Sequence, residues 1–184
     1  KDWKWQLNNS ITDVDELKQK FNISRKVYKK IKAAAKIFPM SITPYYASLI
    51  DFNNDNCPIK KQAVPDRAEL IDNDYEMNDP LHEEVDSPVD GLTHRYPDRV
   101  LLLVNNNCSM FCRHCTRKRK VGDNHKQISP EQINKGIDYI KRNTQIRDVL
   151  LSGGDPLLLD TKLLKNIIEK LYQISHIEIV RIGS

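Results

Sequence analysis

Residues 98–184 contain three short, largely apolar runs, Val100–Val104, Asp148–Ser152 and Ile177–Ile182, separated by two amphipathic stretches. Runs of this length without polar alternation read as strands buried on both faces. Between the first two, Ser129-Pro130-Glu131-Gln132 is a capping box, and Ile133, Ile137 and Ile140 mark a helix to about Asn143. Between the last two, Asp160 caps a helix carrying Leu163, Leu164, Ile167, Ile168 and Leu171. Strand, helix, strand, helix, strand with short connections predicts an α/β fold with a parallel sheet and right-handed crossovers. No helix follows the third run, so a barrel or open sheet cut off midway is expected.

The first 50 residues read as short helices. Thr12 and Asp15 resemble a capping box ahead of Val14, Leu17 and Phe21. Ser24 opens a second helix, with Val27, Ile31, Ala34, Ala35 and Phe38 inward, and Pro39 stops it. Thr43-Pro44 opens a third, through Tyr46, Leu49 and Ile50. Trp3 and Trp5 alternate in what reads as an extended stretch, as packing anchors. From Asp51 to Asp98 the pattern dissolves among Pro58, Pro65, Pro80, Pro88, Gly91 and Pro97, with one short helix near Asp66–Leu70. So long a connection is expected to wrap over another domain. The expected division is therefore 1–97, a helical region with a wrapping loop, and 98–184, an incomplete barrel.

Composition excludes several classes. Four cysteines in 184 residues are too few for a disulfide scaffold, and six glycines exclude a collagen-like chain. No run approaches the roughly 18 apolar residues of a membrane span, and the first thirty residues lack a signal core. A cytoplasmic protein is expected. A net charge of +4 arises from 29 basic and 25 acidic residues mixed along the chain, which gives little support for nucleic-acid binding.

Three of the four cysteines fall in Cys108-Ser-Met-Phe-Cys112-Arg-His-Cys115, directly after the first strand. Three thiols cannot all pair as disulfides. Structural zinc wants a closed tetrahedron, for which only His114 is near. A ferredoxin-type centre wants a fourth cysteine, and Cys57 lies in an unpatterned loop. Three thiolates on a four-iron cube would leave one iron open, which means chemistry at the metal.

This CxxxCxxC run after the first strand of a partial barrel resembles the radical S-adenosylmethionine (SAM) enzymes. The resemblance implies a partial (β/α)6 barrel and a [4Fe-4S] cluster on Cys108, Cys112 and Cys115, whose free iron is chelated by SAM. Ser152-Gly153-Gly154-Asp155, at the carboxyl end of the second strand, is where ligands bind in parallel α/β folds. It resembles the family's glycine-rich motif for the methionyl amino group, and His114 is a further expected SAM contact. Asp2–Gln6, Ile42–Tyr46, Gly91–Arg99, Cys108–Arg119 and Val149–Asp155 together are similar to the lysine 2,3-aminomutase family.

That narrower resemblance implies an isomerase that moves an amino group from the α to the β carbon of an amino acid, lysine above all. It implies pyridoxal 5′-phosphate as second cofactor, with Arg95, Tyr96 and Arg99 near it and its lysine outside this segment. It implies that Arg117 binds the substrate carboxylate, that a flavodoxin or ferredoxin donates electrons, and that the parent is a homo-oligomer. Lys118–Lys120 read as a solvated basic run; His82, His125 and His176 read as surface residues. Rival readings are a glutamate 2,3-aminomutase, an enzyme making β-lysine for a translation factor, and an inactive iron–sulfur-binding fragment. The segment alone is expected not to catalyse amino migration.

Overall fold

The computed structural model describes residues 2–71, 74, 76–122 and 127–184; His125 lies outside them. The chain forms two compact units, one from residues 1–78 and 109–122, the other from 79–108 and 123–184.

The first unit is helical: α1 (Trp3–Asn8), α2 (Val14–Phe21), α3 (Arg25–Ala35), α4 (Pro44–Ser48) and α5 (Pro58–Ala63), followed by a 3-10 turn at Arg67–Leu70. Each begins where a side chain accepts one of the N–H groups that a helix start leaves without a partner. The acceptors are Asp2, Asp13, Ser24, Thr43, Cys57 and Asp66. Ile11, Leu17, Ile31, Met40 and Ile42 fill the core, and Ile11 pairs with Ile42 in an antiparallel bridge.

Three expectations change here. The first residues are helical rather than extended, because Asp2 caps Lys4 N at 2.9 Å, and Trp3 and Trp5 are 58% and 53% exposed rather than packing anchors. Asp13, not Thr12, caps α2. The supposedly unpatterned loop contains α5, whose cap is Cys57; a thiol cap is a rare start signal and is easily passed over.

In the second unit β1 (Leu92–Tyr96), β2 (Arg99–Asn105), α6 (Pro130–Arg142), β3 (Asp148–Gly153), α7 (Thr161–Tyr172) and β4 (Ile179–Ile182) follow in order. The sheet order is β1-β2-β3-β4. β2, β3 and β4 are parallel, as expected, with Val100 opposite Val149 and Val149 opposite Val180. β1 is the difference. It pairs antiparallel with β2 through the Pro97-Asp98 turn, where a loop was expected. Only Leu92 of its five residues is buried, so hydrophobic alternation carried no signal. The division expected between 97 and 98 falls inside this hairpin.

Val100, Leu102 and Val104 of β2 and Val149 and Leu151 of β3 pack with Ile133, Ile137 and Ile140 of α6 and Ile167 and Leu171 of α7. These alternate residues form one face of the sheet. Leu101, Leu103, Leu150 and Ser152 alternate with them and belong to the other face. Helices on one face and a separate inner face are what a partial barrel requires. No helix among the described residues is long and apolar enough to cross a membrane.

Candidate functional site

The cysteine run divides between the units. Cys108 follows β2 in the second unit, whereas Ser109–Gly122, with Cys112 and Cys115, belongs to the first. There the backbone N–H of Phe111 donates to Ser41 O at 3.1 Å and that of Arg113 to Gln62 O at 2.8 Å. Met110 packs on the helical core. The loop is thus stitched to residues flanking α4 and in α5. Cys115 N donates to Cys112 O at 3.2 Å and Lys118 N to Cys115 O at 3.3 Å, which makes successive tight turns.

None of the four cysteines is in a disulfide. Cys108, Cys112 and Cys115 are half-buried and Cys57 is buried. Burial pushes the Cys112 thiol up, and the neighbouring Cys115 thiolate adds to this. Burial also raises the Tyr46 phenol, with smaller contributions from the thiolates of Cys112 and Cys57. Cys57 is engaged otherwise: its Sγ accepts the Lys60 N–H at 3.5 Å, and such backbone bonds lower its thiol. Among the described residues no three His, Cys, Asp or Glu side chains gather as ligands for a single metal ion. A four-iron cube asks for something else, since each thiolate binds its own iron. The half-buried thiols of Cys112 and Cys115 suit that donor set.

The glycine turn is shaped by a neighbouring loop. Gly153 has φ +126°, and a Cβ there would collide with the Asn105 carbonyl oxygen; one on Gly154 would collide with Asn107 O. The expected close approach is therefore made by the end of β2 itself. Gly154 N donates to Asn105 O at 2.8 Å and Asp155 N to Asn107 O at 2.7 Å. The buried Asn105 side chain donates to Asp155 O at 2.8 Å and accepts from Asn107 N at 3.1 Å. This ladder ends one residue before Cys108. Because the N–H groups of Gly154 and Asp155 are engaged, the turn suits a ligand's amino group better than an anion. The methionyl ammonium expected at this motif is a group of that kind.

The basic run separates into unlike residues. The Arg113 side chain is 6% exposed and forks onto Glu69, with Nε to Oε1 at 3.1 Å and Nη2 to Oε2 at 2.7 Å. Lys118, expected to be solvated, binds the same carboxylate and lies 4.2 Å from the centre of the Phe38 ring. Burial alone would raise Glu69, but bonds from Arg113, Lys118 and the Asp66 N–H outweigh it and hold its carboxyl below the ordinary range. Arg117 is half-buried and His114 exposed.

On the hairpin, Arg95 is held by Asp86 at 2.7 Å and by the Leu81 carbonyl. Arg99 pairs with its neighbour Asp98 at 2.9 Å, and its guanidinium lies 5.5 Å from the exposed Tyr96 ring. An exposed pair of this kind is weak and readily exchanged for a phosphate. Arg99 therefore fits a phosphate-binding role better than Arg95 does. Glu69, Ser41, Gln62, Asn105 and Asn107 were not singled out in the sequence. Asp66-Arg-Ala-Glu69 shows a capping box and Asn105-Asn-Asn107 a polar strand end, but neither signal names a distant partner.

A sequence profile described as the Radical SAM superfamily matches residues 102–184. Residues 102–184 belong to the radical SAM superfamily. Similarity to known proteins continues through the helical unit. Over its whole length the chain is 57% identical to the L-lysine 2,3-aminomutase of Methanococcus maripaludis, covering 43% of that protein. It is 52% identical to the L-lysine 2,3-aminomutase of Clostridium subterminale, covering 44%. It is 42% identical to the glutamate 2,3-aminomutase of Clostridioides difficile, again covering 44%. The chain thus spans less than half the length of these curated relatives. The radical SAM profile begins at Leu102, inside β2, and takes in the cysteine run and the glycine turn.

Proposed function

We propose that this chain forms the N-terminal part of an L-lysine 2,3-aminomutase that converts L-lysine to β-lysine. The observation that carries the reading is whole-chain identity of 57% to an L-lysine 2,3-aminomutase, against 42% to a glutamate 2,3-aminomutase. In this reading Cys108, Cys112 and Cys115 hold a [4Fe-4S] cluster, and Ser152–Asp155 with His114 bind SAM. When bound, cluster and SAM would supply radical chemistry, and pyridoxal phosphate would activate the substrate's amino nitrogen.

The chain's own residues orient these groups. The Gly153–Asp155 turn, locked to Asn105–Asn107, offers a preformed surface for the methionyl amino group. Arg117 pairs with the substrate carboxylate through the planar fork of its guanidinium. Arg99, with Arg95 and Tyr96 beside it, meets the cofactor phosphate. The cluster would take its electron from a donor of the flavodoxin or ferredoxin class.

The test is to reconstitute the full-length protein anaerobically with iron, sulfide, SAM, pyridoxal phosphate and reductant, and to supply L-lysine or L-glutamate. β-Lysine is expected; β-glutamate alone would replace lysine with glutamate as substrate, and neither product would overturn the reading. Arg117→Lys should lower kcat/KM about ten- to hundredfold, the worth of a charged hydrogen-bond pair. Unchanged kinetics would return Arg117 to the solvated basic run.

A further inference from the structure

Arg113 and Lys118 flank Cys115 in sequence, and both reach one carboxylate. Glu69 receives two guanidinium N–H groups of Arg113 and the ammonium of Lys118, and its Oε1 accepts the Asp66 N–H at 2.8 Å. The third bonded nitrogen of Arg113, Nη1, donates to Pro39 O at 2.9 Å. Lys118 Nζ also returns to the Arg113 carbonyl at 3.3 Å, closing a ring of contacts around the turn that carries Cys112 and Cys115. The Glu69 and Arg113 side chains are 14% and 6% exposed, so water competes little for these bonds. Glu69 stands 43 residues before Cys112 and belongs to the helical unit, outside the span of the superfamily profile.

We propose that Glu69 is a positioning residue for the cluster ligands. Its fork with Arg113 and its bond from Lys118 clamp residues 112–118, so that Cys112 and Cys115 keep one mutual arrangement as iron is bound. The proposal rests on the reading of these two cysteines as cluster ligands. The physical reason is preorganisation: a turn free to open must be ordered at the moment of binding, and that cost weakens the site. Groups that fix metal ligands from outside are typically worth about ten- to a hundredfold in affinity. A lone buried arginine beside the cysteines would add charge without fixing geometry. The bidentate fork, with a second cation on the same carboxylate, fixes both.

The experiment uses the full-length protein, wild type and the variants Glu69→Gln and Arg113→Lys. Gln keeps the shape and loses the charge; Lys keeps the charge and loses the fork. Each is reconstituted with iron and sulfide, then challenged with excess iron chelator while cluster absorbance is followed. The electron paramagnetic resonance spectrum of the reduced cluster is recorded alongside, and melting of the metal-free protein reports folding. The expected result is cluster loss about tenfold or more faster in both variants, with altered spectra. Wild-type loss rates and spectra in either folded variant would overturn the clamp, even if that variant melts earlier, because a merely structural pair would affect melting alone. Should one variant fail to fold, the other decides. Wild-type protein that takes up no iron would overturn the cluster reading on which the clamp depends, a different failure.

Discussion

The two loops that carry the family's motifs are held by opposite means. The Cys112–Lys118 turn is fixed by charge: one carboxylate, Glu69, gathers a guanidinium and an ammonium. The Gly153–Asp155 turn is fixed by neutral bonds and by shape, through Asn105 and Asn107 and two positions where a Cβ does not fit. The first arrangement responds to pH through the Glu69 carboxyl and depends on the planar fork of Arg113. The second rests on neutral bonds and leaves almost no room for an added atom. The proposed radical chemistry needs each loop in place, and two kinds of physics hold them.

The largest expected effect tests the shape half. Gly154→Val places a branched side chain where the Asn107 backbone lies, so the ends of β2 and β3 must separate. A loss of about 4 kcal/mol or more is expected, enough to remove most of a domain's stability. Chemical denaturation checks it. A change under about 1 kcal/mol would mean that the turn opens easily and that shape does not fix it.

Next comes the charge half. Glu69→Gln should cost about 2 kcal/mol at neutral pH, below the 3–5 kcal/mol of a fully buried broken pair because Glu69 keeps some contact with water. Its carboxyl is held below its ordinary value in the folded protein. The contribution is therefore full above the unfolded-state pKa and is lost as pH falls through the folded one. The gap between wild type and Glu69→Gln should close on acidification below about pH 4. The gap between wild type and Gly154→Val should not narrow through the titration of Glu69. A Glu69 gap that persists at acid pH would erase the contrast between the two loops.

Asn105→Ala sharpens the comparison at smaller amplitude. It removes one donor and one acceptor from a buried neutral ladder, a loss of about 1–3 kcal/mol, and the loss should be unchanged between low and high salt. The smallest effect belongs to the exposed Asp98–Arg99 pair. Asp98→Asn should leave the denaturation curve of the metal-free protein unchanged, since water already screens that pair. A clear destabilisation would show that the hairpin depends on it.

Much of this was legible in the sequence, and the part that was not shares one physical reason. β2, β3, α6 and α7 declare themselves because burial on a sheet or helix face concentrates or spaces their apolar residues. So do α3 and α4, which Ser24 and Thr43-Pro44 announce. β4 shows itself by its apolar run alone, since Ile179–Ile182 is largely exposed rather than buried on both faces as expected. β1 is an edge strand with one buried residue, and α5 starts on a thiol, so neither left a period or a familiar start signal. The cysteine run and the glycine turn stand out because their residue types are rare in such spacing. Their supports do not. Glu69 is recognisable as a local cap, but its bond to Arg113 spans 44 residues, and Asn105 reaches Asp155 across 50. Such pairings come from the fold, which no local pattern records. Gly153 and Gly154 show the same limit: they read as room for a ligand, whereas the nearest occupant is the chain's own backbone.

The most direct measurement is electron paramagnetic resonance of the anaerobically reconstituted, reduced full-length protein before and after SAM is added, with iron counted in parallel. About four irons per chain are expected, together with a cubane signal that changes when SAM binds. The signal should vanish in Cys108→Ala, Cys112→Ala and Cys115→Ala and persist in Cys57→Ala. Stoichiometric zinc without iron, or a cluster signal that SAM leaves untouched, would contradict a radical SAM centre on these three cysteines.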